Sequence, residues 1–235
     1  MWHVKFNAAK CQVLRITNKH EPTPGSYTIH GHQLELVDSA KYLGVHLDSK
    51  LNFNTHVDAV VKKANGIRAF LNRNIGHCGK KIKEASYKTY VRPIVEYSAA
   101  AWDPHAQRNI KKLEMVQRRS ARYVTGAFDR RLSVKPMLQD LKWQSLEERR
   151  RLSRLEMMFR IRFDIIDINW SSYLIPLTTT TRGHQTRFMQ QHCHIDGFAH
   201  SFFPRTTRDW NSLQCEPAAY PTINAFKTAL RAELP

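Results

Sequence analysis

The spacing of apolar and polar residues divides the chain near residue 54. Before that point the two types alternate over short runs, which predicts β-strands. The runs are Lys10–Ile16, Tyr27–Ile29, Gln33–Val37 and Lys41–Leu47. A turn at His30-Gly31 joins the second and third runs into a predicted hairpin, and Gly44 in the last run predicts a close approach of the backbone. So few short strands make an incomplete sheet, and we therefore expect a further stretch of chain before Met1.

From residue 55 onward apolar residues recur every three or four positions, the spacing of helices that bury one face. The predicted helices are Thr55–Asn72, Lys80–Trp102, Ala106–Val124, Leu146–Phe163 and Ile223–Leu234. In the second helix Pro93 lacks an N–H group and is expected to cause a kink. The residues of that helix predicted to face inward are Ile82, Ala85, Tyr90, Ile94 and Tyr97. The pattern therefore predicts an α+β chain, a small antiparallel sheet followed by a mainly helical part.

The predicted helix Ala106–Val124 separates its residue types most sharply. One side carries small, apolar or uncharged residues: Ile110, Leu113, Val116, Gln117, Ser120, Ala121 and Val124. An arc on the other side carries six basic residues: Arg108, Lys111, Lys112, Arg118, Arg119 and Arg122. At 100° per residue this arc is about 120° wide, and the one acid nearby, Glu114, flanks it. Because solvated faces usually mix both charges, the arc favours a binding surface, with an ordinary solvated face as the alternative.

The net charge of +17 is concentrated in the helical part of the chain. Residues 55–165 carry a net charge of +14, against +2 for residues 1–54 and +1 for residues 166–235. A concentrated basic segment in a folded chain favours a polyanion as partner, most often nucleic acid. A membrane surface is a weaker candidate, because the helices need their apolar faces to pack on one another. We therefore predict nucleic-acid binding and no membrane association.

Other chemistry finds little support in the sequence. Histidines and a cysteine gather at His184, His192, Cys193, His194 and His200. Their spacing matches no standard zinc motif, so no metal site is predicted, and no signature such as GxSxG indicates nucleophilic catalysis. The 4 cysteines form no CxxC pair, and neither a secretory signal nor a run of about 18 apolar residues is present. An intracellular protein is expected, in the nucleus or the cytoplasm.

Five motifs in one order carry a resemblance to a known family. They are KFNAAKCQVLRI (residues 5–16), KYLGVHLDSKLNF (41–53), YKTYVRPIVEYSAAAWDP (87–104), IKKLEMVQRRSARYVTG (110–126) and LKWQSLEERRRLSRL (141–155). TTRDWNSL and NAFKTAL follow near the end of the chain. In this order and spacing the chain resembles the reverse transcriptases of LINE-type (non-LTR) retrotransposons, the jockey-like group in particular. The resemblance extends over nearly the whole chain.

The resemblance implies a C-terminal fragment of a longer polymerase. It divides the chain into a palm remnant (1–54), a helical thumb-like region (55–126), a long basic helix with its connection (127–170) and a C-terminal region with a final helix (171–235). In that family the palm holds two metal ions through aspartates upstream of the segment matched here, which implies Mg²⁺ for the full-length enzyme. This sequence contains no Asp-Asp dipeptide, so we assign it no catalytic aspartate and expect the fragment to bind no cofactor. Met1 is then expected to be an internal methionine of a longer reading frame, or the start of a decayed copy.

The same resemblance gives roles to residues of the palm remnant. Asn7 and Lys10 match the segment near the incoming nucleotide, and Lys10 is a candidate general acid toward departing pyrophosphate. An ordinary surface lysine at the start of a strand is the alternative. Tyr42, Leu43 and Gly44 match the hairpin that positions the primer end, with plain strand packing as the alternative.

The basic arc takes its role from the thumb, which holds the template–primer duplex by its backbone. Phosphate contacts need positive charge and not base-reading geometry, which the arc supplies. We therefore predict a fragment of an RNA-directed DNA polymerase that grips template–primer and is inactive as an isolated chain. Two alternatives stay open: a stand-alone basic nucleic-acid-binding module, and a non-functional relic whose charge is inherited.

Overall fold

The computed structural model describes residues 7–17, 19, 25–129, 131–178 and 183–233. Lys5 and Phe6, in the first matched motif, and Leu234, in the predicted final helix, lie outside these ranges. The fold is α+β as predicted, 55% helical with small sheets of two strands each. The chain divides into two compact units, residues 1–59 and 60–235.

The described part of the first unit contains six short strands after a 3₁₀ turn at Ala8–Lys10. The strands are β1 (Gln12–Leu14), β2 (Thr28–Ile29), β3 (His32–Gln33), β4 (Glu35–Val37), β5 (Ser39–Tyr42) and β6 (Val45–Asp48). β2 and β3 pair antiparallel, which confirms the hairpin at His30-Gly31, and β5 and β6 also pair antiparallel. β1 and β4 pair in parallel, which the prediction of an antiparallel sheet did not include.

The prediction of a single strand at Lys41–Leu47 is wrong, because this segment turns back on itself. Leu43 and Gly44 have φ angles of 46° and 86° and connect β5 to β6 in a two-residue turn. Positive φ at both central residues matches the twist of a tight hairpin, and glycine adopts it without steric cost. Gly44 therefore marks a turn and not a close approach inside a strand.

Within the first unit, the hairpin of β5 and β6 contacts His56, in the first turn of α1 (Asn54–Ile75). The backbone N–H of His46 donates a hydrogen bond of 3.2 Å to Nδ1 of His56. The His56 side chain is buried, and burial, with a smaller effect of His46, lowers its pKa from 6.5 to about 4. The imidazole is therefore neutral at pH 7 and acts as the acceptor that holds the hairpin.

The remaining helices follow in the second unit. They are α2 (Lys80–Ser86), α3 (Arg92–Glu96), α4 (Ala99–Trp102), α5 (Gln107–Thr125), α6 (Lys135–Asp140), α7 (Leu146–Arg162), α8 (Asp196–Ala199), α9 (Phe202–Asn211) and α10 (Ile223–Glu233). Four of the five predicted helices are confirmed to within a few residues at each end, the exception being Lys80–Trp102. Among the described residues, no helix combines the length and apolar character needed to cross a membrane.

The predicted helix Lys80–Trp102 is interrupted twice. Pro93 has no N–H to donate, and a π-helical turn at Tyr87–Val91 precedes it, which confirms the predicted disruption. Ser98, with a φ of 51°, separates α3 from α4. Because a π turn holds more residues than an α turn, one row of buried positions recurs every four residues, with Ser86 buried beside it. The row is Lys83, Tyr87, Val91, Val95 and Ala99.

This change of spacing overturns the predicted inward face of the segment. Ile82, Tyr90 and Tyr97 are 55%, 59% and 58% exposed. Ala85 is also exposed, and Ile94 is only partly buried. The prediction assumed regular α-helical spacing, which the π turn and the break at Ser98 do not keep.

Helix α7 lies at the centre of the second unit and contacts α4, α5, α9 and α10. It begins with a capping box, in which the Ser145 hydroxyl accepts from the Glu148 N–H and the Glu148 carboxylate accepts from the Ser145 N–H. One side of α7 packs into an apolar core formed by Leu152, Leu155, Met158, Phe159, Leu174, Phe188, Trp210, Leu213, Phe226 and Leu230.

A buried carboxylate, that of Asp103, ties α7 and α9 to the end of α4. Arg150 and Arg154 of α7 donate through Nε at 2.8 Å and 2.9 Å to its two oxygens. Nη1 of Arg205 in α9 lies 3.2 Å from the same carboxylate. Arg154 also pairs with Asp209 at 2.8 Å. The Asp103 side chain is 3% exposed and that of Arg150 1%, so water screens this cluster little.

We expect Asp103→Asn to destabilise the second unit by about 3 kcal/mol or more, because it leaves buried guanidinium groups without their counter-charge. Urea unfolding measures the change. The matched control is Asp140→Asn, which removes an exposed ion pair with Lys80 and is expected to cost at most about 1 kcal/mol. Equal losses in the two variants would contradict a central role for Asp103.

The first unit is expected to lose stability as the pH falls from 6.5 toward 4. Over this interval the unfolded chain protonates His56 while the folded chain does not, so unfolding takes up a proton and acid favours it. His56→Asn keeps an acceptor near the position of Nδ1 but does not titrate, and its unfolding midpoint should depend less on pH than that of the parent chain. An NMR titration of His56 with a pKa at or above 6.5 would contradict this expectation.

Candidate nucleic-acid interface

Helix α5 buries the face that its sequence predicts. The buried residues of the helix are Asn109, Ile110, Leu113, Val116, Gln117, Ser120, Ala121, Tyr123 and Val124. Gln117, polar but inward, accepts from the Tyr87 hydroxyl at 3.2 Å and donates to the Gln144 carbonyl at 2.9 Å. The helix ends at Gly126, whose φ of 73° allows its N–H to reach the Arg122 carbonyl. Packing on one side therefore holds the opposite side toward solvent.

The outward side of α5, which we call the basic face, carries the six predicted basic residues. Arg108, Lys111, Arg118 and Arg119 are exposed, and Lys112 and Arg122 are partly buried. Within the described part of the chain, Arg108, Lys111 and Arg118 have neither a hydrogen bond nor an ion pair. These three guanidinium and ammonium groups are therefore available to an anionic partner.

Arg119 lies beside a second arginine contributed by α1. Its Nη1 is 3.4 Å from the side-chain oxygen of Asn65. Burial, and then the charge of Arg119, lowers the pKa of Arg68, whose buried Nε has no hydrogen-bond partner among the described atoms. Two nearby cations favour an anion at this position. Nothing in the sequence places Arg68 beside Arg119, so sequence reasoning missed it.

Arg122, unlike the other five basic residues, binds backbone carbonyls of the segment that follows α5. Its guanidinium donates to the carbonyls of Ala127, Asp129 and Leu132 at 3.3, 2.6 and 2.7 Å. These bonds fold the segment after α5 back onto the end of the helix. A role of Arg122 in nucleic-acid binding stays a prediction, but its donors are already engaged within the chain.

The acid that flanks the basic face turns toward α7. The Glu114 carboxylate accepts from the backbone N–H of Glu147 at 2.9 Å, in the first turn of α7. Burial raises the pKa of Glu114, and the hydrogen bond opposes this effect. The carboxylate therefore caps a helix and does not neutralise the basic face.

The other predicted residues lie in the first unit. Asn7 accepts from the Ala9 N–H at 3.1 Å and caps the 3₁₀ turn that ends at Lys10, which is exposed. Tyr42 and Leu43, 66% and 73% exposed, lie at the turn between β5 and β6. Their placement at a hairpin turn agrees with the hairpin that the resemblance implies, and their roles stay predictions.

No group of three or more His, Cys, Asp or Glu side chains that could hold a metal ion occurs in the described ranges. His184 instead joins the protein core: its Nε2 lies 2.8 Å from the Trp210 carbonyl and its Nδ1 3.1 Å from the Thr186 hydroxyl.

Comparison with known proteins confirms the resemblance to jockey-like polymerases over about half of the chain, and not over nearly the whole of it as predicted. The chain is 32% identical over 133 residues to the RNA-directed DNA polymerase from mobile element jockey of Drosophila funebris, and 28% identical over 131 residues to that of Drosophila melanogaster. It is 29% identical over 132 residues to a probable RNA-directed DNA polymerase from transposon BS of Drosophila melanogaster. These matches cover 53–54% of this chain and 14% of each relative. No family model and no solved structure matches the chain.

The two faces of α5 are expected to respond differently to the same substitution. Val116 is 1% exposed, so Val116→Asp buries a carboxylate without a partner and should cost several kcal/mol. Its neighbour Met115 is 42% exposed on the outward side, and Met115→Asp should change stability by no more than about 0.5 kcal/mol. Urea unfolding monitored by circular dichroism compares the two variants. Similar losses in both would mean that α5 is not amphipathic in the folded protein.

Proposed function

We propose, on the premise of this similarity to RNA-directed DNA polymerases, that the chain holds a template–primer duplex through the basic face of α5. The observation that carries the proposal is the positive charge of that face together with its unpaired side chains. Arg108, Lys111 and Arg118 are exposed and have no partner among the described residues. Phosphates along a duplex are the partner that a row of free cations on a rigid helix fits best.

The dimensions of the face fit the backbone of a duplex. Arg108 and Arg118 are separated along the helix axis by about 15 Å at 1.5 Å per residue. B-form DNA rises about 3.4 Å per base pair, so this distance spans about four base pairs of DNA. Arg119 with Arg68 supplies a further cationic position beside the row. The face offers positive charge, so contact with phosphates, without base readout, is the mode it favours.

The activity of the whole polymerase is a wider proposal. The matched stretch is 14% of the length of each relative, so we assign this chain the holding of nucleic acid and not the chemistry. We propose that Mg²⁺ acts in the longer polymerase, at carboxylates outside this chain. Lys10 and the turn Tyr42-Leu43-Gly44 are proposed to lie near the incoming nucleotide and the primer end.

The test removes charge from the three free residues and leaves Arg122 in place. We expect Arg108→Gln with Lys111→Gln and Arg118→Gln to weaken binding to an RNA–DNA hybrid duplex sharply, with an unchanged melting temperature. The slope of log affinity against log salt should decrease in magnitude by about 3, since each lost phosphate contact removes about 0.9. Fluorescence anisotropy of a labelled hybrid, at several salt concentrations, measures both quantities.

Two controls make this test specific. The triple variant Arg108→Lys, Lys111→Arg and Arg118→Lys keeps every charge and should bind nearly as the parent chain does. Duplexes of different sequence should be weakened equally by the glutamine variant, because phosphates carry no sequence information. A glutamine variant with unchanged affinity and salt slope would falsify the proposal, and the basic face would then be an ordinary solvated surface.

A further inference from the structure

Two neighbouring cavities lie beside α7. The cavity next to Gln117, on the buried face of α5, has a volume of about 270 Å³, and the one further along α7 about 290 Å³. Arg149 of α7 and Arg231 of α10 line both cavities. Every lining residue belongs to the second unit.

The smaller cavity, which we call the Trp143 cavity, has an excess of positive charge. Its walls carry Lys88, Arg92, Lys142, Arg149 and Arg231 and no carboxylate. Arg92 and Arg149 share one carboxylate, that of Glu96, which lines the larger cavity and not this one, and Lys88 pairs with Glu84. Lys142 and Arg231 are exposed and have no acidic partner within the described ranges. A concave wall that carries only positively charged side chains concentrates anions.

Arg149 presents a free donor despite its ion pair. Its Nε and Nη2 both donate to the Glu96 carboxylate, which fixes the plane of the guanidinium. Its Nη1 has no hydrogen-bond partner in the part of the chain that the structure describes. A guanidinium held in this way loses little side-chain entropy when it binds an anion.

The floor of the cavity is aromatic and fixed. The rings of Tyr87 and Trp143 stack with centroids 4.2 Å apart, and the Trp143 N–H donates to Glu84 at 3.1 Å. The Tyr87 hydroxyl and the Gln117 amide are hydrogen-bonded within the protein. These polar groups of the cavity floor therefore do not need a hydrogen bond from a ligand. Cations beside an aromatic ring are the combination that binds a phosphate together with a stacked base.

We propose that the Trp143 cavity binds a single nucleotide unit, with its phosphate at Lys142, Arg149 and Arg231 and its base against Trp143. A volume of about 270 Å³ lies at the small end of ligand pockets and suits one nucleotide and not a longer strand. The unit is either a free nucleoside monophosphate or the 5′-phosphorylated end of a single strand. This site is separate from the basic face of α5.

Isothermal titration of the full chain with AMP tests the proposal. AMP should bind at least about tenfold more tightly than adenosine or inorganic phosphate, because each of these lacks one of the two contacts. Lys142→Asn with Arg231→Gln should weaken AMP binding by about tenfold or more. Asparagine is chosen because Lys142 has a φ of 52°, which it tolerates well. The charge-matched control is Lys62→Gln with Lys63→Gln, on the exposed side of α1, which should bind AMP as the parent chain does.

Further variants and ligands distinguish the possible outcomes. Lys142→Arg with Arg231→Lys keeps the charge and should retain AMP binding, and the neutral double variant should bind the hybrid duplex with unchanged affinity. Tighter binding of a 5′-phosphorylated than of a 5′-hydroxyl oligoadenylate identifies a strand end as the ligand, and tighter binding of AMP than of either identifies a free nucleotide. Adenosine or inorganic phosphate binding as tightly as AMP would overturn the proposal, as would unchanged AMP affinity in the neutral double variant.

Discussion

The arrangement of the second unit depends on the pairing of Asp103 with arginines of α7 and α9. A guanidinium can be buried only beside a counter-charge, so α7 and α9 pack where Arg150, Arg154 and Arg205 reach this carboxylate. Asp103 also lies four residues before the start of α5 in the chain. The ion cluster that pairs with α7 and α9 therefore also holds the segment that leads into α5.

The same cluster shows how the large positive charge is divided. Part of it is internal, because four arginines of α7 and α9 gather around Asp103 and Asp209. Two further groups of basic residues lie on the basic face of α5 and around the Trp143 cavity. On the basic face the free cations follow one helix, which suits a regular polyanion. In the Trp143 cavity they surround an aromatic floor, which suits one small anion with a planar group. The two groups of cations thus suit different partners.

Two local features of the backbone decide which side chains are buried before Pro93 and how the chain turns at Leu43. The π turn before Pro93 shifts the buried positions to a spacing of four, which buries Tyr87 and leaves Tyr90 exposed. Tyr87 then forms the floor of the Trp143 cavity. The two positive φ angles at Leu43 and Gly44 convert an apparent strand into a hairpin turn. Each feature is confined to a few residues. Its effect on the segment around it is visible only in the folded backbone.

The α+β class, the bounds of most helices and the two faces of α5 could be predicted from the sequence, because helical periodicity and charge sign are local properties of the chain. The order of the motifs also carried the resemblance to jockey-like polymerases. Which basic residues are free became visible in the folded chain alone. In the sequence Arg122 and Arg150 cannot be distinguished from Arg118. In the structure Arg122 binds carbonyls of the following loop, and Arg150 is buried against Asp103. The physical reason is that the partners of a charge are distant in the chain and come together only through folding.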